Sequence, residues 1–377
     1  MVVLRIIAGM GLVAWLWLAL LRGSFWRTNI RLPAAPPPAR WPSVAIVVPA
    51  RDEAPLLPQT VPGLLAQRYP GPVRVILVDD ASSDGTAQLV ATRWPSVQVV
   101  SPGPKPPGWA GKLWALRAGV AAAGDAELLL FTDADIAHPS DSLARLVSLA
   151  QERDLDLVSQ MARLRCRSGW ERLVVPAFVY FFAMLYPMRW INQPRRRTAA
   201  AAGGCVLLRP SALARAGGIE AVHSAVIDDV ALGTAVKRSG ATVFLGLADG
   251  VESVRPYPSL RRLWRMVSRS AYAQLGYRPL LLVGTVVALT VVFLVPPLST
   301  VVGAVVDPVT ALLGGLAWLV MAVTYAPMLR YYRQPVVAAP LLPVTAALYL
   351  AMTVDSARRT YRGAGAQWKG RSYPAPS

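Results

Sequence analysis

Two blocks of apolar sequence bracket everything else in this chain and limit what it can fold into. Residues Ile6 to Leu21 carry no charge, and from Pro279 to Tyr349 the chain turns apolar again. Leu280 to Val301 is long enough to span a bilayer, and Ala311 to Leu329 is a second such run. A third, Val336 to Val354, is interrupted by Pro340 and Pro343. Composition agrees with a membrane reading. The 377 residues are 54% hydrophobic with a formal net charge of +18, and the mean hydropathy is +0.41. Soluble enzymes seldom combine these values. Membrane proteins do, with basic residues gathered at an anionic leaflet. A nucleic-acid binder would be basic without long apolar runs, so no nucleic acid partner is expected.

Charge asymmetry sets an orientation. Arg22, Arg27 and Arg31 come after the first apolar run, and only Arg5 precedes it. A secretory signal has its charge first and a small-residue cleavage site after. The expectation is therefore an uncleaved anchor over residues 1–24, with the chain beyond it in the cytoplasm. The link at Asp307-Pro308 carries no Lys or Arg and is expected outside; Arg330 and Arg333 mark an internal turn. If the third run spans, the basic tail Arg358, Arg359, Arg362, Lys369 and Arg371 lies outside, against the positive-inside rule. A re-entrant or interfacial passage keeps that tail cytoplasmic and is the favoured reading. The expected location is the inner, cytoplasmic membrane, multi-pass, with the intervening domain facing the cytoplasm. Cys166 and Cys205 lack disulfide or metal spacing, and His138 and His223 are too far apart for a zinc site.

Between the apolar blocks the pattern is α/β. Residues 25–42 form a proline-rich linker. Residues 43–255 alternate short apolar strands with amphipathic helices, which predicts a mostly parallel sheet. The strands expected are Val44–Val48, Val73–Val78, Val97–Val100 and Leu128–Phe131. The helices expected are Pro55–Gln67, one capped by Asp84 and ending at Arg93, and Trp109–Ala123. Residues 168–197 read as an interfacial insertion, though core packing of the same stretch is the alternative. Residues 256–278 read as a basic interfacial helix, 279–356 as transmembrane segments and 357–377 as a basic tail. In parallel sheets ligands bind beyond the carboxyl ends of the strands. Three acidic clusters fall there: Pro49 to Glu53, Asp79-Asp80, and Asp133 with Asp135. Gly-x-Gly-x-x-Gly is missing after the first strand, and Gly111-Lys112 lacks the rest of a P-loop.

Thr132-Asp133-Ala134-Asp135 leaves the apolar strand Leu128–Phe131. Two carboxylates held that close repel and raise a pKa unless a cation sits between them. Hard oxygen ligands with room for phosphate oxygens suit Mg²⁺ or Mn²⁺ carrying a diphosphate. A solvated loop holding two aspartates is the plain alternative. Lys112 sits near the start of a helix, where backbone N–H groups favour an anion; it reads either as a phosphate ligand or as a surface lysine.

The order Val48-Pro49-Ala50-Arg51-Asp52-Glu53, then Val78-Asp79-Asp80-Ala81-Ser82-Ser83-Asp84-Gly85-Thr86, then Asp133-Ala134-Asp135, resembles the family 2 glycosyltransferases. Those enzymes have the GT-A fold and use nucleotide-sugar donors. The similarity covers about Ser43 to Gly246. The flanking apolar segments and the ending Gln367-Trp368-Lys369-Gly370-Arg371 look most like the hopene-associated members, and carotenoid-pathway members look similar too. The resemblance implies that Pro49, Ala50 and Glu53 line the nucleoside pocket. It implies that Asp80, with Asp79 beside it, contacts uracil or ribose. Asp135 matches the principal metal ligand, and Asp133 its partner toward ribose or metal. After the strand at Gly203-Gly204, Asp229 matches the catalytic base and Asp228 its neighbour; two acids opening a helix are also ordinary capping chemistry. The glycines are expected to let an acceptor approach the backbone.

Processive members carry Gln-x-x-Arg-Trp after the base. Here that stretch is Leu260 to Arg269, which lacks the motif but holds Arg261, Arg262, Arg265 and Arg269. These arginines suit diphosphate or lipid headgroups, or simply a basic face. The reading is an inverting transferase that moves a single sugar from a UDP-sugar to a lipid acceptor, such as a hopanoid or other isoprenoid. A processive polysaccharide synthase and a non-catalytic nucleotide-sugar-binding protein are the alternatives.

Overall fold

The computed structural model describes residues 1–363, 367–369 and 371–372. The long apolar helix α1 (Val2–Leu21) leads by an extended segment into β1 (Val44–Ala50), α2 (Leu57–Leu65), β2 (Val73–Asp79), α3 (Thr86–Arg93), β3 (Gln98–Val100), α4 (Gly111–Ala123) and β4 (Leu128–Phe131). These four strands are parallel. Strand β1 is Val-Ala-Ile-Val-Val-Pro-Ala and buried at every position, as a central parallel strand covered on both faces must be. Helix α4 lies against it so closely that a Cβ on Gly119 would come 2.2 Å from Val47 Cγ1.

After β4 the direction changes. The chain continues through β5 (Ile136–Ala137), α5 (Ser142–Glu152), β6 (Leu157–Arg163), α6 (Gly169–Leu185), α7 (Met188–Ile191), β7 (Val206–Leu208), α8 (Pro210–Arg215), α9 (Asp228–Arg238) and β8 (Val243–Ser253). The sheet order is β3-β2-β1-β4-β7-β6-β8-β5. Strand β7 is antiparallel to both β4 and β6, and β5 is antiparallel to β8. The sheet is therefore mixed and mostly parallel. The crevice beyond the ends of β1 and β4 lies where the parallel run stops, the place such sheets use for ligands.

The rest is helical: α10 (Leu260–Ser268), α11 (Pro279–Leu289), a π-turn at Thr290–Leu294, α12 (Val295–Val306), α13 (Pro308–Tyr331), a 3₁₀ segment at Val336–Leu341 and α14 (Leu342–Tyr361). The π-turn stands just before Pro296-Pro297, where backbone donors run out. Among the described residues, five helical stretches are long and apolar enough to cross a membrane: Val2–Leu21, Gly169–Ile191, Pro279–Val306, Pro308–Tyr331 and Val336–Tyr361. Two very short strands, β9 (Gln367–Trp368) and β10 (Arg371–Ser372), pair antiparallel at the end.

The bundle has two distinct ends. At one, Arg5 makes a two-pronged ion pair with buried Asp307, at 2.8 and 2.7 Å, tying the start of α1 to the start of α13. At the other, the Tyr331 hydroxyl donates to Ala248 O at 2.7 Å and Arg22 donates to Met184 O at 3.1 Å, both against the α/β unit or its insertion. Pro340 is held by Trp318 Nε1 at 3.0 Å. Trp318 precedes Tyr331 by thirteen helical residues, about 20 Å. Helix α14 then brings the chain back, with Asp355 accepting from Trp264 Nε1 at 2.8 Å and Ser356 Oγ from Tyr272 N at 3.0 Å. Both ends of the Val336–Tyr361 hairpin thus lie on the α/β side, and its two prolines sit at the turn. Helix α6 is not a free surface helix. Tyr180 bonds Thr324 of α13 at 2.9 Å, and its carbonyls at Leu173 and Val174 accept from Thr345 and Tyr349 of α14.

Candidate active site

The turn leaving β4 is braced from every side. Thr132 N donates to Val47 O at 3.2 Å and its hydroxyl to Gly204 O at 2.9 Å. Thr60 donates to Ala134 O, and Val254 N to Asp135 O, both at 2.8 Å. Beneath it, burial lowers the pKa of His138 to about 4, so a neutral ring bridges Thr132 and Ser142. A short tetrapeptide is thereby a rigid platform with two carboxylates.

These carboxylates open into a cleft of about 670 Å³. Pro49, Glu53, Lys112, Asp133, Asp135 and Asp228 all line it. Lys112, 14% exposed, bridges Asp133 at 2.7 Å and Asp228 at 2.9 Å. It is not a surface lysine. Burial works against its charge, but the two carboxylates outweigh that and hold the ammonium well above the ordinary lysine range. Burial pushes the Asp133 carboxyl up to about 6; Asp135 and Asp228 add to the rise and Lys112 opposes it.

Asp229 stands one step behind this lining. Its Oδ2 accepts the Gly203 N–H at 3.0 Å, and it lies within electrostatic reach of Tyr186 at the end of α6. Burial first, then the neighbouring Asp228, raises its pKa. A Cβ on Gly203 would lie 3.0 Å from Lys112 Nζ and 3.4 Å from Asp229 Cβ, and one on Gly204 would lie 3.1 Å from Ile136 Cδ1, so a side chain at either position would crowd this part of the site.

Ala50, Asp79 and Asp80 are not among the cleft-lining residues. They sit at the seam where loop 51–54 meets loop 80–86. There Asp52 N donates to Ser82 Oγ at 2.9 Å, Glu53 N to Thr86 Oγ1 at 2.9 Å and Ala54 N to Asp84 Oδ2 at 3.0 Å. Asp80 is buried with Arg51 at 3.9 Å. Asp84 also accepts the Thr86 N–H at 3.0 Å, from one residue ahead of the N-cap; the N-cap position expected of it is taken by Gly85, at φ 82°, with no side-chain capping bond.

Two further cations stand in the cleft: Arg255, which the sequence reading does not single out, and Lys369, whose terminal segment Trp368-Lys369-Gly370-Arg371 is expected from sequence either to close over the site or to form a basic tail. Arg255, just past β8, reaches Glu53 at 2.6 Å and Asp135 at 2.8 Å. Lys369 pairs with Glu53 at 2.9 Å and donates to Asp52 O at 3.1 Å, so the terminal segment does reach the site; Gly370 lies outside the described residues. Of the α10 arginines, Arg262, Arg265 and Arg269 line the cleft and Arg261 does not.

The donor chemistry fits a divalent cation. Asp133 and Asp135 offer hard oxygens, and the raised Asp133 is the strain a cation relieves. Among the described residues no group of three or more His, Cys, Asp and Glu is arranged around a metal position.

Residues 42–273, more than half of the chain, match the family described as glycosyltransferase like family 2. Among solved structures the chain is similar to a mannosyltransferase from Pyrobaculum calidifontis in complex with GDP-mannose and Mn²⁺. That likeness has 20% identity and a TM-score of 0.55, over 94% of this chain and 98% of the other. A glucosyl-3-phosphoglycerate synthase from Mycobacterium tuberculosis, in complex with Mn²⁺, UDP and glucosyl-3-phosphoglycerate, is similar at 20% identity and a TM-score of 0.40, over 62% and 80% of the two chains. No curated protein matches in sequence. At 20% identity the first likeness shows fold alone; covering 94% of this chain, it extends past the GT-A-type sheet into the apolar helices. The family match runs over the strands and loops that carry each of these acids, so the chain belongs to glycosyltransferase family 2 and is a sugar-transferring enzyme.

Proposed function

We propose that the chain is a membrane-embedded, inverting glycosyltransferase that moves one sugar from a UDP-sugar to a hydroxyl-bearing lipid, of the hopanoid or other isoprenoid class. The observation that carries this reading is the shared cleft. Acids from the ends of β1 and β4 and from the start of α9 meet there, facing the arginines of α10. Helix α10 is itself joined to α14 of the apolar bundle through Trp264 and Asp355.

In this mechanism the acceptor hydroxyl oxygen forms a bond to the anomeric carbon while the bond from that carbon to the diphosphate oxygen breaks. Asp229 takes the hydroxyl proton. Its burial makes it a stronger base than a solvated aspartate. The electron pair leaves with the nucleoside diphosphate, and attack from the opposite face inverts the anomeric centre. Lys112, Arg262, Arg265 and Arg269 are placed to hold the diphosphate charge. Asp133 and Asp135 would hold a divalent cation, whose charge offsets that on the departing group. Pro49 and Glu53 would flank the nucleoside, with Ala50, Asp79 and Asp80 shaping the seam behind it.

The α/β unit is assigned to the cytoplasmic side. Arg22, Arg27, Arg31, Arg330 and Arg333 all belong to the end of the bundle nearest it, and Arg5, at the far end, is neutralised by Asp307. The hairpin at Val336–Tyr361 would then be re-entrant, keeping the basic tail inside.

The test is transfer itself. Membranes carrying the chain are incubated with labelled UDP-hexose or UDP-N-acetylhexosamine and Mn²⁺, and the organic extract is analysed by mass spectrometry. A mass gain of one sugar on a lipid is expected. Label only in a water-soluble polymer points to a processive synthase, and no glycosylated product at all rejects the enzyme reading.

A further inference from the structure

A second cavity, of about 510 Å³, lies behind the donor cleft. The two are separated by the end of β8 and the residues that follow it: Glu252, Ser253 and Val254 line the second cavity, and Arg255 and Tyr257 line the cleft. Its walls carry Arg163, Arg165, Arg167 and Arg333 against a single lining carboxylate, Glu252. Arg163 pairs with Glu252. Arg165 is 3.6 Å from buried Glu171, whose carboxylate already accepts three backbone N–H groups. For Arg167 and Arg333 no ion pair appears among the described residues. Four lining cations against one lining anion leave a net charge of +3. Tyr332 lines the cavity floor and is only 5% exposed.

We propose that this cavity binds a phosphate group, held by Arg165, Arg167 and Arg333. Guanidinium forks match phosphate geometry. Tyr332 and Arg333 directly follow the apolar helix α13, and Arg167 precedes Ser168, the N-cap of the apolar helix α6. The cavity therefore sits where two such helices would leave a bilayer, the level of lipid headgroups. An anionic lipid and a soluble phosphate share this chemistry. The lipid source rests on the membrane placement proposed above; the phosphate site does not.

The test uses the full chain in detergent. Native mass spectrometry follows titration with phosphatidylglycerol, with diacylglycerol as the phosphate-free control. In parallel, ³¹P line broadening follows inorganic phosphate. Retention of phosphatidylglycerol but not diacylglycerol is expected, weakened at least about tenfold in Arg167→Ala/Arg333→Ala and several-fold in Arg165→Ala. UDP binding should stay unchanged in both, which shows that they fold. Inorganic phosphate bound with the same sensitivity to these variants, and no lipid selectivity, supports the site with a soluble source. Anion binding that ignores both variants, or no binding of either probe, overturns the proposal whatever the transferase assay shows.

Discussion

Replacing Lys112 by methionine removes a charge while keeping the stem that packs in α4. Lys112 is the one cation that touches both Asp133 and Asp228, at 2.7 and 2.9 Å, and it is 14% exposed. Breaking a fully buried pair costs about 3–5 kcal/mol because the partner is left charged and dry. Asp133 is 34% exposed, so solvent screening reduces this to about 2 to 3 kcal/mol. For a unit of this size that is a fall of roughly 5 to 10 °C in Tm. The sign with pH is fixed by Asp133. Its folded pKa of about 6 lies above the ordinary 3.8, so its contribution is most favourable at low pH and is lost as pH rises through 6. Without Lys112 that pKa rises further. The loss should be largest at about pH 8, less than half as large at about pH 5.5, and reduced by Mn²⁺, which replaces the missing charge. Scanning fluorimetry in detergent reads all of this. An equal fall in Tm at both pH values, unmoved by Mn²⁺, refutes the argument that Lys112 balances the acids.

Three further outcomes rest on the same geometry. Lys369→Ala removes a contact to Glu53 and Asp52 and should raise the donor KM about fivefold, worth about 1 kcal/mol, with kcat within twofold; an unchanged KM removes the terminal segment from the site. Because Asp133 must lose its proton to bind a cation, Mn²⁺ affinity measured by electron paramagnetic resonance should weaken about tenfold per pH unit below pH 6; a flat profile from about pH 5 to 7.5 contradicts a role for Asp133 as ligand. Gly119→Ala drives a methyl to 2.2 Å from Val47 Cγ1 and should cost about 2 kcal/mol; an unchanged Tm would mean that α4 backs away from β1 freely.

Much of the donor half is legible in the sequence because its signals are local. A run such as Leu128–Phe131 can only be a buried strand before a polar turn, and the two aspartates come at once after it. The start of α3 is read from Asp84-Gly85-Thr86, although the cap falls one residue later than expected, on Gly85. The antiparallel half is harder. Strands β5 and β7 have two and three residues, too few for alternation to register, and their direction is set by partners far along the chain. Arg255 meets Asp135 across 120 positions; its only clue is that it comes after a long strand ending at the same rim. Lys369 stands out as one of only four lysines, but sequence cannot say which loop a tail reaches. The glycines at 203 and 204 suggest room for a ligand's approach, and only coordinates reveal Lys112, Asp229 and Ile136 beside them.

The most direct measurement is the comparison of binding with turnover in Asp229→Asn. Asp229 accepts the N–H groups of Gly203 at 3.0 Å and Val230 at 2.8 Å; the amide oxygen keeps one of them, so the variant loses a single local hydrogen bond and should still fold. UDP-sugar affinity by isothermal titration should stay within about threefold, and transfer to lipid should fall about 10²- to 10⁴-fold, the range for a lost general base. Turnover within tenfold of the unmodified chain, with binding retained, would take the proton-accepting role away from Asp229 and with it the central claim.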